Sequence, residues 1–315
     1  MTLDNFVRQI GLDVASPFAR AAAPATRLRG SPTADLGSSR LGGLPDLPAE
    51  LPWPCWDART YFTLEAQRAR EKLPGAGNDR GRAIWRERIE RYEAGAVSDP
   101  RPLSFIAQLN CADLAASDLP LPAGGLLSFF YDLEEQPWGF APEDAGAWRV
   151  VFTPPGALLV RRDLPPRLDS GLVLRPKPLR SVPTWTLPES VRTNDETRSR
   201  WEDPEVESAF ERRAEFDPEP WHQVGGHPDP IQGDMAWACA LVTAGVYLGE
   251  PPALPPDELE RLVAATPQWR LLFQFASDDD IDLMWGDSGK VYFWMRHADI
   301  AAGAWDRAWL QLQCC

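Results

Sequence analysis

The sequence lacks several features that would place it in a familiar class. Its 315 residues contain no run of 18 apolar residues, which excludes a membrane-spanning helix. Only three histidines are present, and the five cysteines (Cys55, Cys111, Cys239, Cys314 and Cys315) show no metal-ligand spacing. An odd number of cysteines, with no secretory leader at the N-terminus, predicts free thiols and a cytoplasmic location.

Positive charge is also scarce. The net charge is −14, from 46 acidic and 32 basic residues. Such a surface repels phosphate backbones, which argues against nucleic-acid binding and favours a protein partner, with a basic partner fitting best. The sequence has no nucleophile elbow, phosphate loop or dinucleotide fingerprint, so we expect no cofactor.

Tryptophan and proline, in contrast, are abundant. The 14 tryptophans can build a large core, because each aromatic side chain buries roughly 150–250 Å². The 32 prolines argue against an all-helical bundle and favour strands joined by ordered loops. The terminal Cys314–Cys315 pair directly follows the alternating run AWLQLQ. We therefore expect it to end a strand, with lipidation as the weaker alternative.

A Gly-Gly-x-Pro-Asp motif occurs twice, as GGLPDLP at 42–48 and as GGHPDPI at 225–231. Three strand-like runs follow each copy in the same order. The first run of each set carries a glutamine at the same place, Gln108 in one and Gln274 in the other. The runs are 103–110, 124–134 and 147–153 after the first motif, and 269–277, 289–299 and 307–314 after the second.

This repetition predicts an internal duplication. The expected fold is α+β with a mostly antiparallel β-sheet, formed by two pseudo-symmetric β-rich halves with peripheral helices. Phe129 and Phe293 are expected to be corresponding buried aromatic residues, and any ligand groove is expected between the halves. The whole chain is predicted to be one domain, with a first half at 1–160 that includes an N-terminal helix and a helical insertion at 57–100, a proline-rich connection with a helix at 161–220, and a second half at 221–315.

The two motifs are interpreted as rigid corner turns. Paired glycines allow positive φ, proline fixes the next φ, and the aspartate is expected to accept hydrogen bonds from amides of its own turn. The turn residues are Gly42, Gly43, Pro45, Asp46, Gly225, Gly226, Pro228 and Asp229.

Two loops invite a metal interpretation, and both fail on spacing. His222, His227, Asp229 and Asp234 lie within thirteen residues, but glycines and prolines separate them and the histidines do not have the i,i+4 spacing of a helical zinc pair. Asp234 instead suits the N-cap of a helix. A second loop, in which Asp278, Asp280 and Asp282 have calcium-loop spacing, has Leu283 in place of glycine and Gly289 in place of the bidentate glutamate. The sequence therefore predicts no metal.

The motifs together resemble the YwqG-like family, a bacterial domain of unknown function (DUF1963). The similarity rests on SRLGGLPDLP, LSFIAQLN, LPLPAGGLLSFFYD and QPWGF, and on GGHPDPIQGDM, WGDSGKVYFWM and LQLQC, which follow in order across residues 40–315. The resemblance implies a single bacterial α+β protein of cytoplasmic type, without an established activity, cofactor or catalytic residue. Some relatives lie near toxin-system genes, which implies protein–protein binding.

The favoured function is a non-catalytic binding or interaction protein. Gln108, Gln274, His227 and Trp285 are its candidate binding residues. The alternative is a carboxylate-based hydrolase in which Asp229, Asp234 and Asp287 surround His227. A partly buried acid cluster with His227 in a cleft would favour the hydrolase, whereas scattered acids around a closed corner would favour the binding protein.

Overall fold

The computed structural model describes residues 1–32, 35–193, 196–217, 220–251 and 254–315. Within these residues the chain forms eight α-helices, α1 (Leu3–Gln9), α2 (Pro17–Arg20), α3 (Arg59–Lys72), α4 (Asp79–Gly95), α5 (Pro204–Phe216), α6 (Met235–Val242), α7 (Pro256–Ala264) and α8 (His297–Ala301). In this part of the chain no helix is long and apolar enough to cross a membrane.

The strands of the same residues are short and numerous, as the high proline content predicts. They are β1 (Ala23–Gly30), β2 (Arg40–Leu41), β3 (Asp46–Pro48), β4 (Cys55–Trp56), β5 (Arg101–Pro102), β6 (Ser104–Asn110), β7 (Leu126–Tyr131), β8 (Trp148–Thr153), β9 (Leu159–Arg161), β10 (Lys177–Thr186), β11 (Ser190–Thr193), β12 (Glu196–Ser199), β13 (His222–Val224), β14 (Trp269–Ala276), β15 (Lys290–Arg296) and β16 (Trp309–Gln313).

Ten of the strands form one antiparallel sheet in the order β16-β15-β14-β13-β1-β10-β2-β6-β7-β8. The α+β class with a mostly antiparallel sheet is confirmed. The three other strand pairs, β3-β9, β4-β5 and β11-β12, are small ribbons at the periphery.

The strand order is symmetric about the junction of β1 and β10. On each side, an inner strand is followed by a very short strand that leads into a Gly-Gly corner, and then by three longer strands. The inner strands are exchanged, because β1 pairs with β13 next to the second corner, whereas β10 pairs with β2 next to the first. Each inner strand therefore comes from the other part of the chain.

Details of strand pairing repeat on both sides. The register shifts at Ile106 in β6 and at Leu272 in β14. Two residues beyond the shift, Gln108 pairs with Arg40 and Gln274 pairs with Gln223. A β-bulge bends its strand, so both sides of the sheet bend at corresponding positions. That these correspondences arose by duplication of one unit stays a prediction.

The sheet curves until its two edge strands approach each other, in a nearly closed barrel. The indole Nε1 of Trp148 in β8 donates to the carbonyl of Ala308 at 2.8 Å, and its ring meets that of Trp309 in β16 edge-on at 4.9 Å. Phe129 and Phe293 are fully buried inside, with ring centroids 5.0 Å apart. Their predicted burial is confirmed.

Helices cover the outside of this sheet. Within the predicted insertion, α3 and α4 form a helical hairpin that packs on Trp56 through Tyr61 and Phe62. At the other end, α1 contributes Phe6 and Val7 to a small separate core with α2 and α5. The N-terminal helix and the insertion thus serve as peripheral layers.

The proline-rich stretch at 161–220 differs from its expected role as a simple connection, because it contributes β10 to the centre of the sheet. Pro183 is compatible with this position. The hydrogen bond from Ser31 N to Pro178 O fixes which residues of β10 bond to β1, and Pro183 falls on the opposite side. On that side β10 pairs with β2 only at Lys177 and Pro178, so the missing N–H of Pro183 costs no ladder hydrogen bond.

Candidate functional site

The aspartate of the first corner, Asp46, is buried and binds groups from several other segments of the chain. Asp46 is fully buried, and its carboxylate accepts hydrogen bonds from Gly37 N at 2.9 Å, from Arg40 Nη1 at 2.6 Å and from Gln108 Nε2 at 2.8 Å. The Arg161 guanidinium forms a further ion pair at 2.5 Å. Burial would raise the pKa of Asp46, but these bonds lower it from 3.8 to about 2.

The aspartate of the second corner is surrounded by cations in a similar way. Lys290 Nζ lies 2.6 Å from one carboxylate oxygen of Asp229, and Arg213 Nη2 lies 3.2 Å from the other. Arg200 approaches to 3.9 Å. Burial would raise the pKa of Asp229, but the Arg213 and Lys290 charges hold it well below its usual range. A carboxylate in this state is a poor general base.

The expectation that each aspartate accepts bonds from its own turn is wrong. The carboxylates bind cations and amides of other segments instead, since buried charges require charged partners more than local amides do. Their own backbone N–H groups are bound by the glutamines at corresponding positions of the two sides: Asp46 N donates to Gln108 Oε1 at 3.0 Å, and Asp229 N donates to Gln274 Oε1 at 2.9 Å. Each corner is therefore stabilised by a glutamine of a neighbouring strand, β6 or β14, and its aspartate does not bond to its own turn.

Three of the four predicted binding residues do not reach solvent. Gln108, Gln274 and Trp285 are all fully buried. Both glutamine side chains are engaged in the hydrogen bonds to the corners. The ring of Trp285 packs against those of Tyr131 and Phe275, with centroids 5.7 and 5.5 Å away. Gln108 and Gln274 lie on buried strand faces, which alternation in these apolar runs does not reveal. Trp285 lies in the loop before β15, and none of the three side chains is exposed to a ligand.

The residues of the hydrolase alternative are not brought together. Asp229 lies beneath its cations, whereas Asp234 is exposed and caps α6 by accepting from Ala236 N at 2.8 Å, which confirms its N-cap role. Asp287 is exposed on the turn before β15. His227 Nε2 donates to the carbonyl of Ala21 at 2.8 Å, so this nitrogen already has a backbone partner.

The remaining metal candidates have structural partners. His222 is buried, its Nδ1 accepts from Ala276 N at 3.2 Å, and its Nε2 therefore carries the proton donated to Asp278 at 3.0 Å. Asp278 also binds Lys177 Nζ at 2.7 Å, whereas the exposed Asp282 binds Arg175. Across the described ranges, no group of three or more His, Cys, Asp or Glu side chains could hold a metal ion.

One groove collects residues from both parts of the chain, and we call it the inter-half groove. It encloses about 710 Å³ and contains His227 and Asp234 of the second corner. The N-terminal segment contributes Ala21 and Ala23. The remaining lining residues are Asp118, Pro188, Glu189, Ser190, Gly226, Pro228, Pro230, Gly233, Met235, Ala236, Thr266, Pro267, Trp269, Arg270, Leu271 and Trp294.

Three polar side-chain atoms without partners belong to residues that line the inter-half groove. Trp269 and Trp294 are 4% and 5% exposed, and neither indole nitrogen has a hydrogen-bond partner among the described residues. The same holds for the hydroxyl of Thr266. A buried donor without an acceptor costs about 1–3 kcal/mol, and native proteins contain few such groups. Ten further atoms of this kind lie elsewhere among the described residues, so the groove is distinguished only by the combination of these three with its acidic lining.

The charge of the groove is negative. Asp118, Glu189 and Asp234 line it, against the single cation Arg270. Burial lowers the pKa of His227, so this side chain adds no positive charge near neutral pH. Asp118 also fixes the corner, because its carboxylate accepts from Gly226 N at 3.0 Å.

Sequence reasoning identified only part of this groove. His227 and Asp234 were singled out, but Trp269 and Trp294 lie in apolar strand runs, where a tryptophan is most simply a core residue. Asp118 and Glu189 lie in loops that carry no motif. The only sequence signal for them is the general excess of acidic residues.

The family assignment agrees with this architecture. A family described as a domain of unknown function (DUF1963) matches residues 39–314, which contain both corners and all of β2 to β16. The chain belongs to this family. No curated protein matches the chain significantly. The segment before residue 39, which includes β1 and α1, lies outside the match, although β1 is an inner strand of the sheet.

Proposed function

We propose that this DUF1963 protein is a binding protein that holds a basic, extended segment of a partner protein in the inter-half groove. The observation that carries the proposal is a groove lined both by three acidic residues and by three side chains with unpartnered polar atoms, those of Thr266, Trp269 and Trp294.

The donors suit the backbone of an extended peptide. An indole N–H is a donor only, and a peptide chain offers a carbonyl acceptor at every residue. Tryptophan also supplies a large apolar surface, which is why it is enriched among the residues that dominate binding energy. Pro228 and Pro230 stiffen part of the lining of the groove. A rigid groove of this kind loses little conformational entropy on binding.

The charge supports a basic partner. Three acids face one arginine in the groove, and the whole chain carries −14. Such a field speeds the approach of a positively charged partner and has less effect on dissociation. A cytoplasmic, reducing location of a bacterial protein fits the five free cysteines, and we include it in the proposal.

Selection of peptides from a phage-displayed library of random 12-residue sequences tests the proposal. The variant D118N/D234N removes two negative charges, while an asparagine oxygen can still accept from Gly226 N and still cap α6. The matched control D203N/D287N removes the same charge elsewhere, because Asp203 caps α5 and Asp287 lies on an exposed turn.

Selected peptides are expected to be rich in lysine and arginine, and to bind D118N/D234N about tenfold more weakly than the control variant. Their association rate should fall as salt rises from about 0.05 to 0.5 M, a range over which the Debye length drops below 10 Å. Peptides without basic residues, or equal binding to the two double variants, would show that the groove does not serve this purpose.

A further inference from the structure

The two edge strands of the ten-stranded sheet, β16 and β8, differ in whether another segment bonds to their outer backbone groups. The edge of β16 is covered by residues 138–140, which we call the covering segment. Leu312 N donates to Trp138 O at 3.1 Å, while Trp309 Nε1 and Gln311 Nε2 both donate to Gly139 O, at 3.0 and 2.7 Å. One backbone bond and two side-chain bonds thus attach β16 to a piece of chain that belongs to the loop between β7 and β8.

The corresponding edge of β8 has no such backbone partner, although the turn Trp305–Arg307 packs against it and Val150 is only 4% exposed. Asp132 N donates to Ala147 O at 2.8 Å, in register with the pairing of β7 and β8. Because bonding alternates along an antiparallel ladder, Arg149, Val151 and Thr153 face β7. The backbone groups of Val150 and Phe152 then point away from the sheet, and within the described ranges no backbone group pairs with them.

These two positions correspond to the covered residues of β16. Val150 pairs with Phe129, and Leu310 pairs with the corresponding aromatic residue, Phe293. Phe152 and Leu312 each lie two residues further along their strands, so they also correspond. The loop that precedes β16, with α8 and the turn Trp305–Arg307, is the counterpart of the loop that supplies the covering segment. It approaches β8 but forms no backbone ladder with it.

A groove lies between β8 and that loop, and we call it the seam groove. It encloses about 710 Å³ and is lined by Val150 and Phe152 on one side and by Ile300 and Trp305 on the other. Leu121 and Pro122 also line it. Asp306 is the one charged residue among those that line it. The side chains that line the seam groove are therefore mostly apolar, with a strand edge along one wall and a single negative charge.

We propose that β8 takes an extended segment of a partner protein as an added strand, at the positions that correspond to those where the covering segment bonds to β16. The added strand would exchange hydrogen bonds with the backbone of Val150 and Phe152, and its apolar side chains would pack on Trp305 and Phe152. A lysine or arginine would lie next to Asp306, which gives the charge complementarity. Addition of a strand to an open sheet edge is an established mode of peptide binding, and an uncovered edge is otherwise a hazard for aggregation.

The seam groove is separate from the inter-half groove, since none of the residues lining one lines the other. Binding at β8 depends on the backbone, so it should tolerate varied side chains at alternate positions of the ligand. Binding in the inter-half groove depends on acidic side chains and on indole donors. The two can therefore be tested in one peptide selection with different variants.

Val150→Pro and Val150→Ala form the decisive pair. Proline removes the outward N–H of residue 150 without removing a bond to β7, because proline is tolerated where a strand's N–H faces away from the sheet. Alanine truncates the same side chain but keeps the N–H. Peptides selected on the wild-type protein from the random library are expected to bind V150P about fivefold to tenfold more weakly than V150A, the effect of one lost hydrogen bond.

A second measurement leaves the protein unchanged, in case V150P does not fold. Selected peptides are resynthesised with N-methyl groups on alternate residues. One of the two alternating series should abolish binding and the other should not, because only every second amide of an added strand faces β8. A self-association of the protein that V150P abolishes and V150A does not would instead identify a second copy as the occupant and overturn the proposal of a partner segment.

The outcomes separate the two proposals. Peptides that respond to D118N/D234N but not to V150P, and that show no alternation on N-methylation, would overturn the strand-addition proposal and leave the inter-half groove as the binding site. Peptides that respond to V150P and alternate on N-methylation, but ignore D118N/D234N, would support strand addition and contradict the proposed function of the groove.

Discussion

Gln108 and Gln274 make the same hydrogen bond on opposite sides of the sheet. Each carboxamide oxygen accepts the backbone N–H of the aspartate in a Gly-Gly-x-Pro-Asp corner, at 3.0 Å for Asp46 and 2.9 Å for Asp229. Each carboxamide nitrogen donates to a second carbonyl, that of Ser38 or that of Trp221. The repeated glutamine is therefore the clamp that attaches the repeated corner to its neighbouring strand.

Replacement of either clamp should destabilise the protein without changing its surface. Gln108→Leu and Gln274→Leu leave a buried N–H and a buried carbonyl unpaired, at a cost of about 1–3 kcal/mol for each group. Urea denaturation measures the loss in unfolding free energy. The control Gln67→Leu, at an exposed position of α3, should change it by less than about 0.5 kcal/mol. Equal effects of Q274L and Q67L would contradict the clamp.

Local patterns made part of this fold accessible from the sequence. The Gly-Gly-x-Pro-Asp corners, the strand runs that follow them and the cap at Asp234 depend on neighbouring residues, so each can be recognised in a short window. The inner strand β1 could not be recognised in this way. Its sequence, APATRLRG, places Arg27 and Arg29 in a strand, and Arg27 is buried only because Asp217 and Trp221, nearly 200 residues later, receive its guanidinium.

The candidate site was harder to predict than the fold for a related reason. A glutamine or tryptophan that repeats in a pattern can serve a ligand or serve the core, and the sequence does not distinguish the two. Gln108, Gln274 and Trp285 turned out to be internal, whereas Trp269 and Trp294 line the inter-half groove. The difference arises from sheet curvature and from the placement of α6, both of which depend on contacts between distant segments.

Acid should weaken the fold partly through Asp46. Burial acts to raise its pKa, but bonds from Arg40, Arg161, Gly37 and Gln108 lower it from 3.8 to about 2. A carboxyl with a depressed pKa in the folded state stabilises the protein above the unfolded pKa, and this contribution is lost as pH falls through about 2. The predicted quantity is the unfolding free energy of wild type minus that of Asp46→Asn. This difference should be about 2 kcal/mol larger at pH 6 than at pH 2. A difference that is constant with pH in urea titrations would show that the ion pairs do not form.

Asp144 should have the opposite pH dependence. Burial raises its pKa from 3.8 to about 7, although the N–H groups of Gly139 and Ala141 donate to its carboxylate. A carboxyl with a raised pKa stabilises the fold below pH of about 4, and this contribution is lost as pH rises to about 7. Asp144→Asn keeps an acceptor for both N–H groups but carries no charge, so it should gain stability relative to wild type across that window, by up to about 4 kcal/mol.

Urea denaturation of the two proteins at several pH values from 4 to 8 checks the expectation for Asp144. The advantage of D144N should grow to about pH 7 and then stay constant. The exposed control Asp306→Asn should show no such growth. If the difference in unfolding free energy between D144N and wild type stays constant from pH 4 to 8, Asp144 is hydrated and its pKa is not raised by burial.

Gly139 is the residue at which the covering segment can be detached from β16. Its φ is +77°, and a Cβ built there would lie 1.8 Å from the carbonyl oxygen of Leu310. Gly156 provides a matched control, because its φ is +82° and a Cβ there would meet nothing within 4 Å. Gly156→Ala should cost only the backbone strain, about 1–2 kcal/mol. Gly139→Ala adds a steric clash with a strand, which should bring its cost to roughly 3 kcal/mol or more.

The two glycine variants also distinguish a lost contact from an exposed edge. If the covering segment lifts away in G139A, the N–H of Leu312 loses its acceptor and the edge of β16 becomes available for pairing. G139A should then aggregate below its unfolding temperature, as measured by light scattering during heating, whereas G156A should scatter only after it unfolds. If both variants lose the same stability and neither aggregates early, the covering segment does not protect β16, and the contrast between the two sheet edges would lose its physical basis.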